Sequence, residues 1–121
     1  MKTSELTGAA LDWAVATANE DYPQWDAEWE VFYAANGDDM DYSTNWAQGG
    51  PIIEREKMKL FPNVGGRWSA QIRHETTHPL VAHPVLDGWT NRAGDTPLIA
   101  AMRCYVASKL GDEVELPKEL T

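Results

Sequence analysis

The first ordered pattern in the chain is helical. Leu11, Ala14, Val15 and Ala18 recur at intervals of three and four, so they share one face of a helix. Thr7 stands where a helix cap belongs, and Leu6 can close on Leu11 as a hydrophobic staple. The helix is predicted to stop near Asn19, ahead of Asp21-Tyr22-Pro23. From Trp25 to Ala34 the period falls to two. Trp25, Ala27, Trp29, Val31 and Tyr33 alternate with Asp26, Glu28, Glu30 and Phe32, which predicts a strand with one apolar and one mainly acidic face. Asn36 to Asp39 then reads as a turn.

Ser43 or Thr44 is placed to cap a short helical turn through Trp46, which Gly49-Gly50 should break. Pro51 suits the first position of a second short helix, to about Lys57. Met58 to Pro62 reads as a strand and Asn63 to Gly66 as a hairpin turn. Arg67 to His74 alternates again, with Trp68, Ala70 and Ile72 on one face. Glu75 to Gly94, with its His-Pro pairs and Asp87-Gly88-Trp89, reads as a long loop with room for a short strand at Leu80, Val81 and Ala82. A loop of that length in a small domain is usually functional or mobile. The last element is the clearest. Thr96 caps it and Pro97 occupies its first position; Leu98, Ala101, Met102, Tyr105, Val106 and Leu110 form its stripe, and Gly111 ends it. The acidic tail from Asp112 is expected to fray.

This order predicts one α+β domain over residues 1–121: a small, mainly antiparallel sheet packed with an N-terminal and a C-terminal amphipathic helix in sandwich-like layers. Each long helix is expected to need a sheet face. Whether they share one face or cover both is open.

Charge narrows the function. The 121 residues carry a formal net charge of -9, and no Lys or Arg lies between Lys2 and Arg55. Glu5, Asp12, Glu20, Asp21, Asp26, Glu28, Glu30, Asp38, Asp39, Asp41 and Glu54 all fall in that interval. Such a field repels phosphate backbones and anionic membranes, which argues against direct nucleic-acid or membrane binding. A basic protein partner or mimicry of nucleic acid stays open beside the simpler reading of a solvated acidic face. Six Trp in so short a chain suggest a stacking or contact surface, and a small core would gain from self-association as a homo-oligomer. The single cysteine, Cys104, rules out an internal disulfide and fits a buried thiol. The first residues lack a signal-peptide core and no apolar run would cross a bilayer, so a cytosolic location is expected.

Three runs together resemble the phage NinX-like family. They are Met1 to Ala16, Tyr42 to Glu54 and Asp95 to Gly111, roughly half of the chain. The motif order is also similar to phage ABA-sandwich domains, with a sheet between helical layers. Residues 21–41 and 75–94 fall outside these runs and read as variable parts. The resemblance implies a phage or prophage protein made in the host bacterial cytoplasm, from a family of unknown function. It brings no catalytic residues with it.

Candidate chemistry is sparse. His74, His78 and His83 match no standard zinc spacing, so no metal is expected, and no cofactor either. Gly49-Gly50 and Gly65-Gly66 lack the Lys-Ser/Thr ending of a phosphate loop. The best binding candidate is Tyr42 to Arg55. Trp46 offers a stacking surface, Gln48 an amide to read a base edge, Gly49 and Gly50 a close backbone approach, and Arg55 a partner for phosphate. Tyr42 belongs to the same run; Trp68 and Arg103 are further candidate ligand contacts. The competing account is structural: Trp46 and Ile52 plug the core while Gly-Gly-Pro turns a corner. The leading expectation is a non-enzymatic accessory protein that binds a small nucleotide-like ligand, sequestering a host defence signal. The alternative is an acidic interaction module that engages a basic host protein through Asp26, Glu28 and Glu30.

Overall fold

The computed structural model describes residues 1–77 and 84–121. Its first helix, α1 (Gly8–Ala18), follows the predicted boundaries, and Leu6 and Leu11 are both fully buried. Thr7 precedes it in extended backbone, but its side chain makes no capping hydrogen bond.

The predicted Trp25–Ala34 strand is a hairpin instead. β1 (Gln24–Asp26) pairs antiparallel with β2 (Val31–Tyr33), Trp25 opposite Phe32. The reason lies in Asp26. Its Oδ1 accepts from the amides of Glu28 (2.9 Å) and Trp29 (3.2 Å), a local bond that wins over extension. The two-residue period survives in the strands, so the sequence pattern hides the reversal.

α2 (Trp46–Arg55) also departs from expectation: it runs unbroken through Gly49, Gly50 and Pro51. Asn45, rather than Ser43 or Thr44, caps it by accepting from Ala47 N at 2.9 Å. Gly49 is there for packing. A Cβ at that position would stand 2.5 Å from Leu98 Cδ1 and 2.6 Å from the Tyr42 carbonyl oxygen.

The main sheet has three antiparallel strands in chain order, β3 (Lys59–Pro62), β4 (Trp68–Thr77) and β5 (Pro84–Gly94). The expected 75–94 loop is thus largely strand. β4 and β5 pair from Trp68 opposite Gly94 to Thr77 opposite Pro84, with a register irregularity between His74 and Glu75. An irregularity of this kind breaks the two-residue period, which is why alternation could not reveal the strand. Leu80, Val81, Ala82, His78 and His83 lie outside the described residues.

α3 (Pro97–Leu110) is capped as predicted, Thr96 Oγ1 accepting from Ile99 N at 3.1 Å. It packs across β4 and β5, and α1 lies chiefly on α3 rather than on the sheet. The helices therefore stack on one side of the sheet, and the sheet does not lie between two helical layers. α3 consequently carries no simple stripe; every residue from Ala100 to Ala107 is buried. At Gly94 a Cβ would come within 2.7 Å of Ala100 N, so glycine permits the close approach of β5 to α3.

The C-terminal tail is tied down rather than frayed. Thr3 N donates to Asp112 O at 2.9 Å, Val114 N to Met1 O at 2.9 Å, and Val114 is buried. Among the described residues no helix is long and apolar enough to cross a membrane.

Candidate functional site

The Tyr42–Arg55 residues do not form one hollow. Trp46 and Arg55 are the two ends of α2, nine positions apart, which is about 13 Å and about two and a half turns, so they point to opposite sides. Trp46 is 53 % exposed. Arg55 reaches instead to the end of α1 and to α3, its Nη2 donating to Asn19 Oδ1 (2.8 Å) and to the Tyr105 hydroxyl (3.0 Å). Gln48 staples the preceding loop: its Oε1 accepts from Asp41 N at 2.7 Å and its Nε2 donates to Asp39 O at 2.6 Å. Tyr42 is buried, with its hydroxyl donating to Asp21 Oδ2; burial first, and the carboxylate second, push its pKa up. Gly49 is packed under Leu98, while a Cβ at Gly50 would meet the Trp46 ring at an ordinary 3.9 Å.

Trp68 and Arg103 are also held in structural roles. Trp68 packs partly buried against the core from β4. Arg103 is 8 % exposed, with Nε donating to Leu6 O at 2.7 Å and Nη1 to Ala93 O at 3.0 Å. It clamps the chain start to β5, and burial lowers its pKa. Cys104 is sealed in: Sγ donates to Thr90 O at 3.1 Å, and burial raises its pKa to about 11, which leaves little thiolate at neutral pH.

The face of the sheet turned away from α3 offers more. Residues alternate across the strands, so Ala70 and Ile72 face the core while Gln71 and Arg73 face away. The pairing register sets Lys59 beside Gln71, Gln71 beside Asn91, and Arg73 beside Trp89. Arg73 Cζ lies 4.3 Å from the centroid of the Trp89 ring, within cation–π range, and Trp89 stays 46 % exposed. Lys57, Lys59, Gln71, Arg73, Trp89 and Glu56 line a groove of about 330 Å³.

The charge of that groove is positive. Glu56 is its one carboxylate, and it is occupied from the far side by Arg55 (3.2 Å) and Lys109 (3.3 Å). Among the described residues no carboxylate pairs with Lys57, Lys59 or Arg73. The basic residues of an acidic chain thus converge beside an exposed indole. Such a surface can stack a flat ring, hold an anion with ammonium and guanidinium groups, and read an edge through Gln71.

A family model described as Bacteriophage P22, NinX matches residues 2–109. The chain belongs to this phage family. The matched span takes in residues 21–41 and 75–94, the whole Tyr42 to Glu54 run and nearly all of the two terminal runs. No curated protein matches the chain.

Membership in the NinX family assigns no binding residues, so the groove stands on its own geometry. Part of it was legible in advance: the alternation of Arg67 to His74 places Gln71 and Arg73 opposite Trp68, Ala70 and Ile72. Trp89 was not legible, because it lies in a stretch that reads as loop and becomes a site residue only through its pairing with Arg73.

Proposed function

We propose that this phage protein binds a small nucleotide-like anion on the open face of its sheet, holding it without chemical change. The observation that carries the reading is the convergence of Lys57, Lys59 and Arg73 around the exposed ring of Trp89. The base would stack on Trp89, Gln71 would meet its edge, and the cations would hold its phosphate. The net charge of -9 favours a small ligand over a polymer. Fields between exposed charges fade over about 8 Å at physiological ionic strength, so a small anion feels the local cations while a long phosphate chain also meets the acidic surface.

In a phage protein such binding serves sequestration, with a host defence nucleotide in the bacterial cytoplasm as the target. Self-association belongs to the same reading: Trp29, at 75 % exposed, and Trp46 offer apolar surface to a second copy.

Calorimetry of the full chain against mononucleotides, dinucleotides and cyclic dinucleotides tests the proposal. Binding of at least one, weakened about tenfold by Arg73→Ala and by Trp89→Ala, with the ligand recovered unchanged, supports it. No heat from any of them, or equal heat from parent and both variants, overturns it. Steady product formation would make the protein an enzyme instead.

A further inference from the structure

A second groove, of about 430 Å³, opens between the start of α1, the β1–β2 hairpin and residues 39–41. It shares no lining residue with the sheet groove and has the opposite character. Trp25 and Phe32, whose ring centroids are 4.9 Å apart, contribute an apolar wall. Glu30, Asp39 and Asp41 bring carboxylates, and no lining side chain is basic.

Asp12 also lines this groove, although it is only 7 % exposed. Its Oδ1 accepts from Ser43 N at 2.8 Å, and among the described residues its second oxygen accepts no hydrogen bond. The Ser43 hydroxyl, close to the same carboxyl, is buried and has no hydrogen-bond partner of good geometry among the described residues. Asp12 thus brings a largely buried carboxyl to the wall of the groove, where a charged donor gains most from pairing with it.

We infer that this groove receives a lysine or arginine side chain presented by a basic segment of a protein partner. The chemistry matches along the length of such a side chain. Its aliphatic stem suits the Trp25 and Phe32 wall, and its cation suits both the ring faces and the carboxylates. Charge-assisted hydrogen bonds to Asp12, Glu30, Asp39 or Asp41 would fix the head. The acidic surface of the first half of the chain then steers a basic partner towards a defined pocket rather than attracting it diffusely.

The test uses the full chain and an acetylated, amidated hexapeptide of alternating lysine and arginine, followed by calorimetry and tryptophan fluorescence. The peptide should bind and perturb the fluorescence. Asp12→Asn and Glu30→Gln should each weaken binding about tenfold, while Glu54→Gln, outside the groove, leaves it unchanged. Glu30 is exposed, so its variant reports on recognition even where Asp12→Asn alters folding. No binding, or equal weakening by all three variants, overturns the inference. Tighter binding of spermidine than of the peptide also overturns it, because a free amine would then be the ligand. The nucleotide titration, repeated on the Glu30→Gln protein, should be unaffected, which keeps this result separate from the sheet-face proposal.

Discussion

The open sheet face and the hairpin groove are two surfaces of one acidic chain with opposite chemistry. The first gathers Lys57, Lys59 and Arg73 beside Trp89; the second gathers Asp12, Glu30, Asp39 and Asp41 beside Trp25 and Phe32. Each pairs aromatic surface with a prevailing sign of charge. The difference teaches that a net charge of -9 describes the sum and not the partner. Basic residues that, apart from Lys2, begin only at Arg55 can still build a positive surface once the fold sets them side by side.

The largest expected effect comes from the clamp beneath both surfaces. Arg103→Met leaves the Leu6 and Ala93 carbonyls without their donor and should lower unfolding free energy by about 2–3 kcal/mol, read from urea denaturation. Equal loss of nucleotide and peptide binding in this variant would show that the two surfaces share one frame; loss of one alone would break that link.

Gly49→Ala should follow, at about 2 kcal/mol, because its Cβ meets the Tyr42 carbonyl oxygen as well as the Leu98 side chain. Gly50→Ala is the matched control. Its Cβ meets only the Trp46 ring at 3.9 Å, so the higher helix propensity of alanine should raise stability by about 0.5–1 kcal/mol.

Exchange of single charges sharpens the comparison itself. Lys59→Glu should weaken nucleotide binding about tenfold and leave peptide binding unchanged, and Glu30→Lys should do the reverse, both by calorimetry at physiological salt. Parallel effects from the two variants would mean that long-range charge, rather than two separate sites, governs both ligands.

The smallest effect is a change of slope. Burial raises the Asp12 pKa in the folded protein, so the folded state holds this proton more tightly than the unfolded chain. The stability that Asp12 contributes is present below its ordinary aspartate value and is lost as pH rises through its raised folded value. Asp12→Asn keeps an acceptor for Ser43 N and removes that loss. Relative to the parent, the variant should gain stability as pH rises above the ordinary aspartate range in urea titrations, and a constant difference would show that Asp12 is not so perturbed.

Legibility differed sharply between elements. α3 could be read because its signals are local and agree: Thr96 at the cap, Pro97 at the first position, an apolar repeat and Gly111 at the stop. The β1–β2 reversal could not, since Asp26 accepting from Glu28 and Trp29 preserves the alternation that suggests a single strand. Gly49-Gly50-Pro51 reads as a break because glycine and proline normally interrupt helices; in the folded chain α2 runs through it, and Gly49 answers to Leu98, far along the chain. The same reason separates Trp46 from Arg55 and joins Arg73 to Trp89. Arg55 and Trp46 are near in sequence but diverge around a helix, whereas Arg73 and Trp89 meet only through strand register.

By itself, the order of residues determined the α+β class, the ends of α1 and α3, the polar face of β4 and membership in the NinX family, because each rests on short-range periodicity, capping or direct likeness. Tertiary structure alone decided that both long helices stack on one side of the sheet, that the tail is pinned to the chain start, and that cations and indole converge on the other side. Those outcomes depend on contacts between residues far apart in the chain, whose energies no local pattern records.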